Sequence, residues 1–257
     1  LAGWQRLYDR LTPDQKQYWD QYYMPISDQF FTDNLQGKEL VEWKYQRYMN
    51  DYLKCIMSVD DNVGRLLSHL EKTDQLDNTW IIYTSDQGFY LGEHGWYDKR
   101  FMYEESFGMP LVMRYPAVIK PGSINQNLVL NLDFAPTVMD LLGIETNEPW
   151  QGNSLLPLMK GEAKEIHPDG IYYHYYEYPH GWHKVKRHYG VSTSRYKLIH
   201  FYHDIDHWEL YDLENDPQEM NNIYQQADPE LIEELKSKLQ KLQEQYGEPA
   251  SGFLSDS

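Results

Sequence analysis

Cysteine is nearly absent: Cys55 is the only one in 257 residues, so no disulfide can form within the chain. It falls on a helical pattern, where a free thiol is expected to pack as a small buried hydrophobe. No uninterrupted apolar run reaches the length of a membrane-crossing helix, about 20 residues, so the sequence carries no membrane span. Positive charge is also scarce. Lys and Arg total 23 against 40 Asp and Glu, a net charge of -17, which argues against nucleic acid or an anionic membrane as partner, since both need a basic footprint. Internal repeats and low-complexity tracts are likewise missing, and the absence of a visible signal peptide says little. The chain starts at Leu1 rather than Met and reads as the interior of a longer polypeptide.

Core material is plentiful. Hydrophobic residues make up 41% and aromatics 15%, enough for one large domain or a domain with a smaller companion. The 23 tyrosines suit half-buried strands and carbohydrate-facing surfaces, although most are expected to pack.

From Lys38 to about Glu71 apolar residues recur every three or four positions, from Val41 and Tyr45 to Leu66 and Leu70. That spacing predicts a long amphipathic helix. Thr79–Thr84 is a continuous apolar run and predicts a strand covered on both faces. Leu111–Tyr115 predicts a second strand, and Asp133–Gly143 a short helix with Asp133 as its N-cap. Beyond Ile166 four short aromatic and β-branched runs, within 171–176, 189–193, 196–202 and 208–213, predict an antiparallel sheet. A last helix follows Asp228-Pro229, with Leu231, Leu235, Leu239 and Leu242 on one face. The expected fold class is therefore α/β. Residues 1–165 would contribute part of a mixed or parallel sheet sandwiched by helices. Residues 166–257 would form a small antiparallel β-sheet subdomain with a C-terminal helix.

The richest chemistry lies where the first strand should stop, in YTSDQGFYLGEHGWYDKR, residues 83–100. In open α/β sheets ligands collect beyond the carboxyl ends of strands. Asp86 and Gln87 offer a carboxylate and an amide oxygen side by side, hard ligands suited to Ca²⁺ or Mg²⁺ rather than zinc. Asp at a strand end is also ordinary turn chemistry. Two neighbouring ligands cannot complete such a site, so others must come from elsewhere. Gly88 lets the backbone turn without steric penalty.

Several separate segments share an order with one known family. Ser85-Asp-Gln-Gly88, Gly92-Glu-His-Gly95, Asp98-Lys-Arg100, Tyr103-Glu-Glu-Ser106 and Pro110-Leu-Val-Met113 resemble the second half of a type I sulfatase. Leu132–Gly143 and Leu210–Pro217 extend the likeness over nearly the whole chain. Within the family, Asp98-Lys-Arg100 and the Tyr-rich segment after Gly170 are most similar to N-acetylglucosamine-6-sulfatases, including bacterial ones.

The resemblance implies roles residue by residue. Asp86 and Gln87 occupy the places of ligands to a divalent cation, usually calcium, with Mg²⁺ the other hard candidate. Lys99 matches the lysine that contacts the sulfate oxygens. His94 would assist proton transfer or hydrogen-bond the substrate, or else only pack the loop. Asp98 and Arg100 would grip sugar hydroxyls or pair with each other. The family's nucleophile is a formylglycine made from Cys or Ser in a Cys/Ser-x-Pro/Ala-x-Arg motif, and Cys55-Ile-Met-Ser-Val59 does not fit it. The resemblance thus makes this chain a C-terminal half, dependent on the N-terminal half of the same polypeptide for catalysis. It also implies a sulfated carbohydrate substrate and a periplasmic or secreted location, lysosomal in a eukaryote.

Eight of the ten histidines fall between Ile166 and Trp208. His180-x-x-His183 and His200-x-x-His203 have metal-ligand spacing, yet residues three apart on a strand face opposite sides. Tyr178–His188 mixes aromatic planes with Lys184, Lys186 and Arg187, a combination suited to sulfated sugars. His183 and His188 are the substrate-binding candidates there; an ordinary exposed hairpin is the plain alternative. Two further readings keep other outcomes open: a phosphodiesterase or phosphotransferase of the wider alkaline-phosphatase group, and a non-catalytic glycan-binding module.

Overall fold

The computed structural model describes residues 2–145, 150–179, 183–203 and 205–248. It is a mixed α/β structure dividing into two compact units, Leu1–Leu66 and Leu67–Ser257.

The first unit is helical: α1 (Ala2–Asp9), α2 (Pro13–Asp33) and most of α3 (Gly37–Lys72). The start of α2 is fixed by a reciprocal cap, in which Thr12 Oγ1 accepts from Gln15 N while Gln15 Oε1 accepts from Thr12 N. Phe30 and Trp43 pack at a tilt with ring centroids 4.5 Å apart, and Tyr22 and Tyr23 reach Asp51. Neither α2 nor α3 contains a fully buried residue. Cys55, expected to be buried, is exposed. The helix forms as its periodicity predicts, but among the described residues of this unit no layer buries its apolar stripe.

The second unit begins within the last turns of α3. β1 (Ile81–Thr84) pairs antiparallel with β2 (Leu111–Arg114), matching Ile82 with Met113 and Thr84 with Leu111. The expectation that this strand is covered on both faces does not hold for Tyr83, which is 45% exposed. Its apolar composition reports β propensity here more than enclosure. Between the two strands lie a long loop and the single-turn α4 (Glu104–Phe107).

α5 (Phe134–Leu141) follows a 3₁₀ turn, Asn131–Asp133. Asp133 does not cap it, contrary to expectation. Its buried carboxylate instead accepts from Leu130 N and Asn153 N and pairs with His167 Nε2 at 2.9 Å. A fully buried carboxylate needs several donors at once, and the segments flanking α6 (Leu156–Met159) supply two of them, Asn153 and His167.

β3 (Ile171–Tyr175), β4 (His188–Ser192), β5 (Tyr196–Phe201) and β6 (His207–Asp212) form an antiparallel meander in sequence order. Side-chain alternation gives the sheet two buried faces. One face, with Tyr189, Val191, Leu198 and Leu210, packs on α7 (Pro229–Tyr246) through Leu235, Leu239 and Leu242. Asp228 caps that helix at Glu230 N, and Gly247 ends it in the left-handed region. The other face, with Ile199, Phe201 and Tyr211, packs on Tyr90, Met102 and Tyr103 from the loop between β1 and β2. That approach is so close that a Cβ on Gly190 would sit 2.7 Å from Met102 Sδ and 2.4 Å from Leu198 O. The sheet is therefore the platform on which the polar loop rests.

Candidate active-site loop

The chain leaves β1 through a tight turn in which Ser85 Oγ donates to Gln87 O at 2.8 Å. Asp86 is exposed there, and no hydrogen bond or ion pair engages its carboxylate among the described residues. Gln87 is held differently. Its Nε2 donates to Ser106 O at 2.5 Å and lies 3.1 Å from Ser106 Oγ. A carbonyl oxygen can only accept, so the amide orientation is decided by chemistry: NH₂ toward Ser106, Oε1 away from it. Asp86 and Gln87 both line a cavity of about 400 Å³, whose walls include Phe107, Tyr172, Tyr173 and His174.

Gly88 is required here, but by proximity rather than by an unusual φ. A Cβ on it would meet the carbonyl oxygens of Glu105, Ser106 and Gly108 at 2.3–2.7 Å. Gly88 N donates to Ser106 O at 3.0 Å. The α4 turn is thus pressed directly against the Asp86–Gln87 corner.

This donor set fits half of a hard-cation site: one free carboxylate and one amide oxygen oriented by its own NH₂ group. Among the described residues no cluster of three or more His, Cys, Asp or Glu side chains is placed to hold a metal. The remaining ligands would have to come from outside them, as the sequence pattern also implies.

The following loop doubles back, with Tyr90 N donating to Asp98 O at 2.8 Å and Gly92 N to Trp96 O at 2.9 Å. Fully buried Tyr90 anchors it and donates its hydroxyl to Phe101 O. Burial raises the Tyr90 phenol well above its ordinary range, so it stays neutral. Asp98 and Arg100 form an ion pair in which Arg100 Nη1 lies 2.9 and 2.8 Å from the two carboxylate oxygens. Lys99 sits between them with an exposed side chain, its backbone N–H donating to Asp98 Oδ1 at 2.5 Å. Tyr173 OH donates to Arg100 O at 2.8 Å.

His94 adopts a left-handed backbone, φ 54°, and stacks on Tyr103 at 4.8 Å. Its Nε2 faces Glu105 Oε2 at 3.4 Å, so it touches the α4 turn. His183 Nε2 lies 3.6 Å from Glu177 Oε2. His188 is fully buried, with Phe101, Tyr173, Tyr175 and Phe201 around its ring at centroid distances of 5.0–5.7 Å. Its Nδ1 lies 2.8 Å from Lys186 O, so Nδ1–H donates and Nε2 keeps a bare lone pair. Burial pushes its pKa down to about 4. His94, Asp98, Lys99, Arg100, His183 and His188 are not on the wall of the cavity that holds Asp86 and Gln87.

The basic loop is partly spent on itself. Arg187 is buried and donates to the carbonyls of Tyr176 and Tyr178, while Lys186 lies over the Tyr178 ring at 4.1 Å and donates to its hydroxyl. His180 and Trp182 lie outside the described residues. His200 is engaged by Tyr189 OH and Asp206, each at 2.8 Å. Ser106 and Tyr173 escaped sequence reasoning, because a backbone acceptor and one tyrosine among 23 carry no distinguishing residue signal.

Comparison with known proteins adds independent findings. The family described as Sulfatase matches residues 13–144, and that described as N-sulphoglucosamine sulphohydrolase, C-terminal, matches residues 92–245. An N-acetylglucosamine-6-O-sulfatase of Bacteroides thetaiotaomicron is 51% identical over 93% of this chain and 43% of its own length. A human N-acetylglucosamine-6-sulfatase is 41% identical over 43% of this chain and 20% of its own. A solved structure, described as a complex with its substrate D-glucosamine-2-N,6-O-disulfate, superposes with a TM-score of 0.86 at 50% identity. It is matched over 93% of this chain and 49% of that one. The chain spans less than half the length of the curated relatives it matches.

Proposed function

This chain belongs to the sulfatase family, and from that premise we propose that it is the C-terminal part of a sulfuric ester hydrolase that removes 6-O-sulfate from N-acetylglucosamine units of sulfated glycans. The observation that carries the reading is the Gln87 amide: Ser106 takes its NH₂ group, leaving Oε1 available on a cavity wall that Asp86 shares. A corner that presents only oxygens suits a hard divalent cation, and we assign calcium ahead of Mg²⁺.

The cation would polarise a sulfuryl oxygen as a Lewis acid, and a formylglycine from the N-terminal half would supply the nucleophile. This chain's own residues do the rest. Asp86 and Gln87 hold the cation. The Lys99 ammonium pairs with the sulfate oxygens, whose negative charge persists through the reaction. Asp98 and Arg100 fix each other and flank Lys99, so sugar hydroxyls meet an oriented acceptor and donor. His94 acts on the loop through Tyr103 and Glu105. His188 supports Phe101 from behind, and His183, facing Glu177, is the imidazole left for substrate binding. A periplasmic or secreted location fits a polymeric substrate that is met outside the cytoplasm; no helix among the described residues is long and apolar enough to cross a membrane.

The test is mass spectrometry of the complete polypeptide together with sulfate release from 6-sulfated N-acetylglucosamine. A formylglycine and released sulfate are expected. A polypeptide lacking the modification, or inert toward this ester, overturns the reading.

A further inference from the structure

Lys197 is a cation on a buried sheet face. Its side chain is 0% exposed, and its Nζ lies 2.9 Å from Glu219 Oε1, 3.2 Å from Glu104 Oε2 and 5.1 Å from the centre of the Phe107 ring. Strand alternation puts it on the same face of β5 as Ile199 and Phe201, the face that meets the polar loop. An ammonium is almost never fully buried without a carboxylate partner, and this one has two.

What it holds is the α4 turn. Glu219 comes from the segment after β6 and has a left-handed backbone, φ 51°, which few residues other than glycine adopt. From there Glu219 Oε2 accepts the backbone N–H of Glu104 at 2.6 Å, the first residue of α4. Glu104 itself supplies the second carboxylate to Lys197. Both ends of this clasp therefore converge on residue 104, and Phe107, under the ammonium, is already a wall of the cavity.

Two residues after Glu104, Ser106 offers the carbonyl and hydroxyl that take the Gln87 NH₂ group, and the same carbonyl takes Gly88 N–H. The connection runs from Lys197 through Glu219 and Glu104 to Ser106 and then to the Gln87 amide. If the turn drifts, Gln87 loses its acceptors and its amide can rotate. A rotated amide presents donors, not an acceptor, to a cation.

We infer that Lys197, with Glu219, is the positioning residue of the cation corner: the sheet subdomain sets the Gln87 oxygen through a buried ionic clasp on the α4 turn. This rests on the functional reading above and assigns that site a control point on a different part of the chain.

The experiment is calorimetric titration of Ca²⁺ into the complete, chelator-stripped polypeptide, unsubstituted and as Lys197→Met and Glu219→Gln. Melting temperatures are taken without cation. Partners outside the ligand shell are typically worth about 10–100-fold in metal affinity. Lys197→Met should weaken Ca²⁺ binding by about that factor, and Glu219→Gln by less, since it keeps an acceptor for Glu104 N–H. Sulfate release by either variant should recover as Ca²⁺ is raised, with KM for the sugar unchanged at saturation. If Lys197→Met does not fold, Glu219→Gln decides. Unchanged Ca²⁺ affinity in folded variants, even with lowered melting temperatures, makes the clasp merely structural and overturns the inference alone. Absence of saturable binding by the unsubstituted polypeptide overturns it together with the cation reading.

Discussion

Tyr173 and Arg100 are joined by a hydrogen bond of 2.8 Å from the phenol of β3 to the carbonyl oxygen of the polar loop. The two residues are far apart in sequence, and through this bond the antiparallel sheet sets the backbone directly after Lys99. Tyr173→Phe keeps the ring that stacks on His188 and deletes only the hydroxyl. A typical hydrogen bond contributes about 1 kcal/mol. The expected outcome is kcat/KM on a 6-sulfated sugar lowered about fivefold, with Ca²⁺ affinity unaltered. A loss of folding rather than of turnover would contradict the assignment.

Lys99 carries a sharper expectation. Its ammonium is exposed, and its neighbours on both sides are committed to each other. Lys99→Ala should therefore leave the melting temperature within experimental scatter. Removing one fixed charge partner of a reacting anion typically costs about 10²–10³ in rate. Steady-state kinetics should show a loss of that order, and full activity in Lys99→Ala would remove Lys99 from the site.

The cation ligands can be separated from their supports. Chelation should lower the melting temperature of the complete polypeptide, and Ca²⁺ should restore it, because a ligand that binds only the folded state stabilises it. Asp86→Asn keeps the shape and removes the charge. Since even outer partners are worth about 10–100-fold, losing a charged ligand should raise the Ca²⁺ concentration needed by more than that. A thermal-shift titration measures it directly.

What could be read from residues alone was whatever depends on near neighbours. The start of α7 follows from Asp228-Pro229, and the four strands of the meander from turn residues spaced along the chain. Asp86 and Gln87 could be singled out because they adjoin a strand end. The direction of the Gln87 amide could not, since it depends on a carbonyl 19 residues away. Asp133 looked like a cap because cap and buried acceptor use the same carboxylate; only the arrival of Asn153 and His167 separates the two. Helical periodicity at Cys55 identified a stripe but carried no information about its cover. The double burial of the β-sheet was equally out of reach, because the residues that fill its second face, Tyr90, Met102 and Tyr103, are scattered among charged residues with no strand or helix period.

His188 gives the protein a built-in acid sensitivity. Its ring is enclosed by Phe101, Tyr173, Tyr175 and Phe201, and among the described residues its polar contact is the donation from Nδ1 to Lys186 O. Desolvation pulls its pKa down to about 4 from the ordinary value of 6.5. The unfolded chain therefore takes up a proton at a higher pH than the folded one. Stability is fully present above about pH 6.5 and declines as the pH falls toward 4. The difference of about 2.5 units corresponds to about 3 kcal/mol at most. His174 and His200, also lowered by burial, act in the same direction. Urea midpoints measured at pH 7 and pH 5 should show this decline, and His188→Phe, which keeps a flat ring and cannot be protonated, should make it shallower. An equally steep decline in His188→Phe would place the sensitivity in the other two imidazoles.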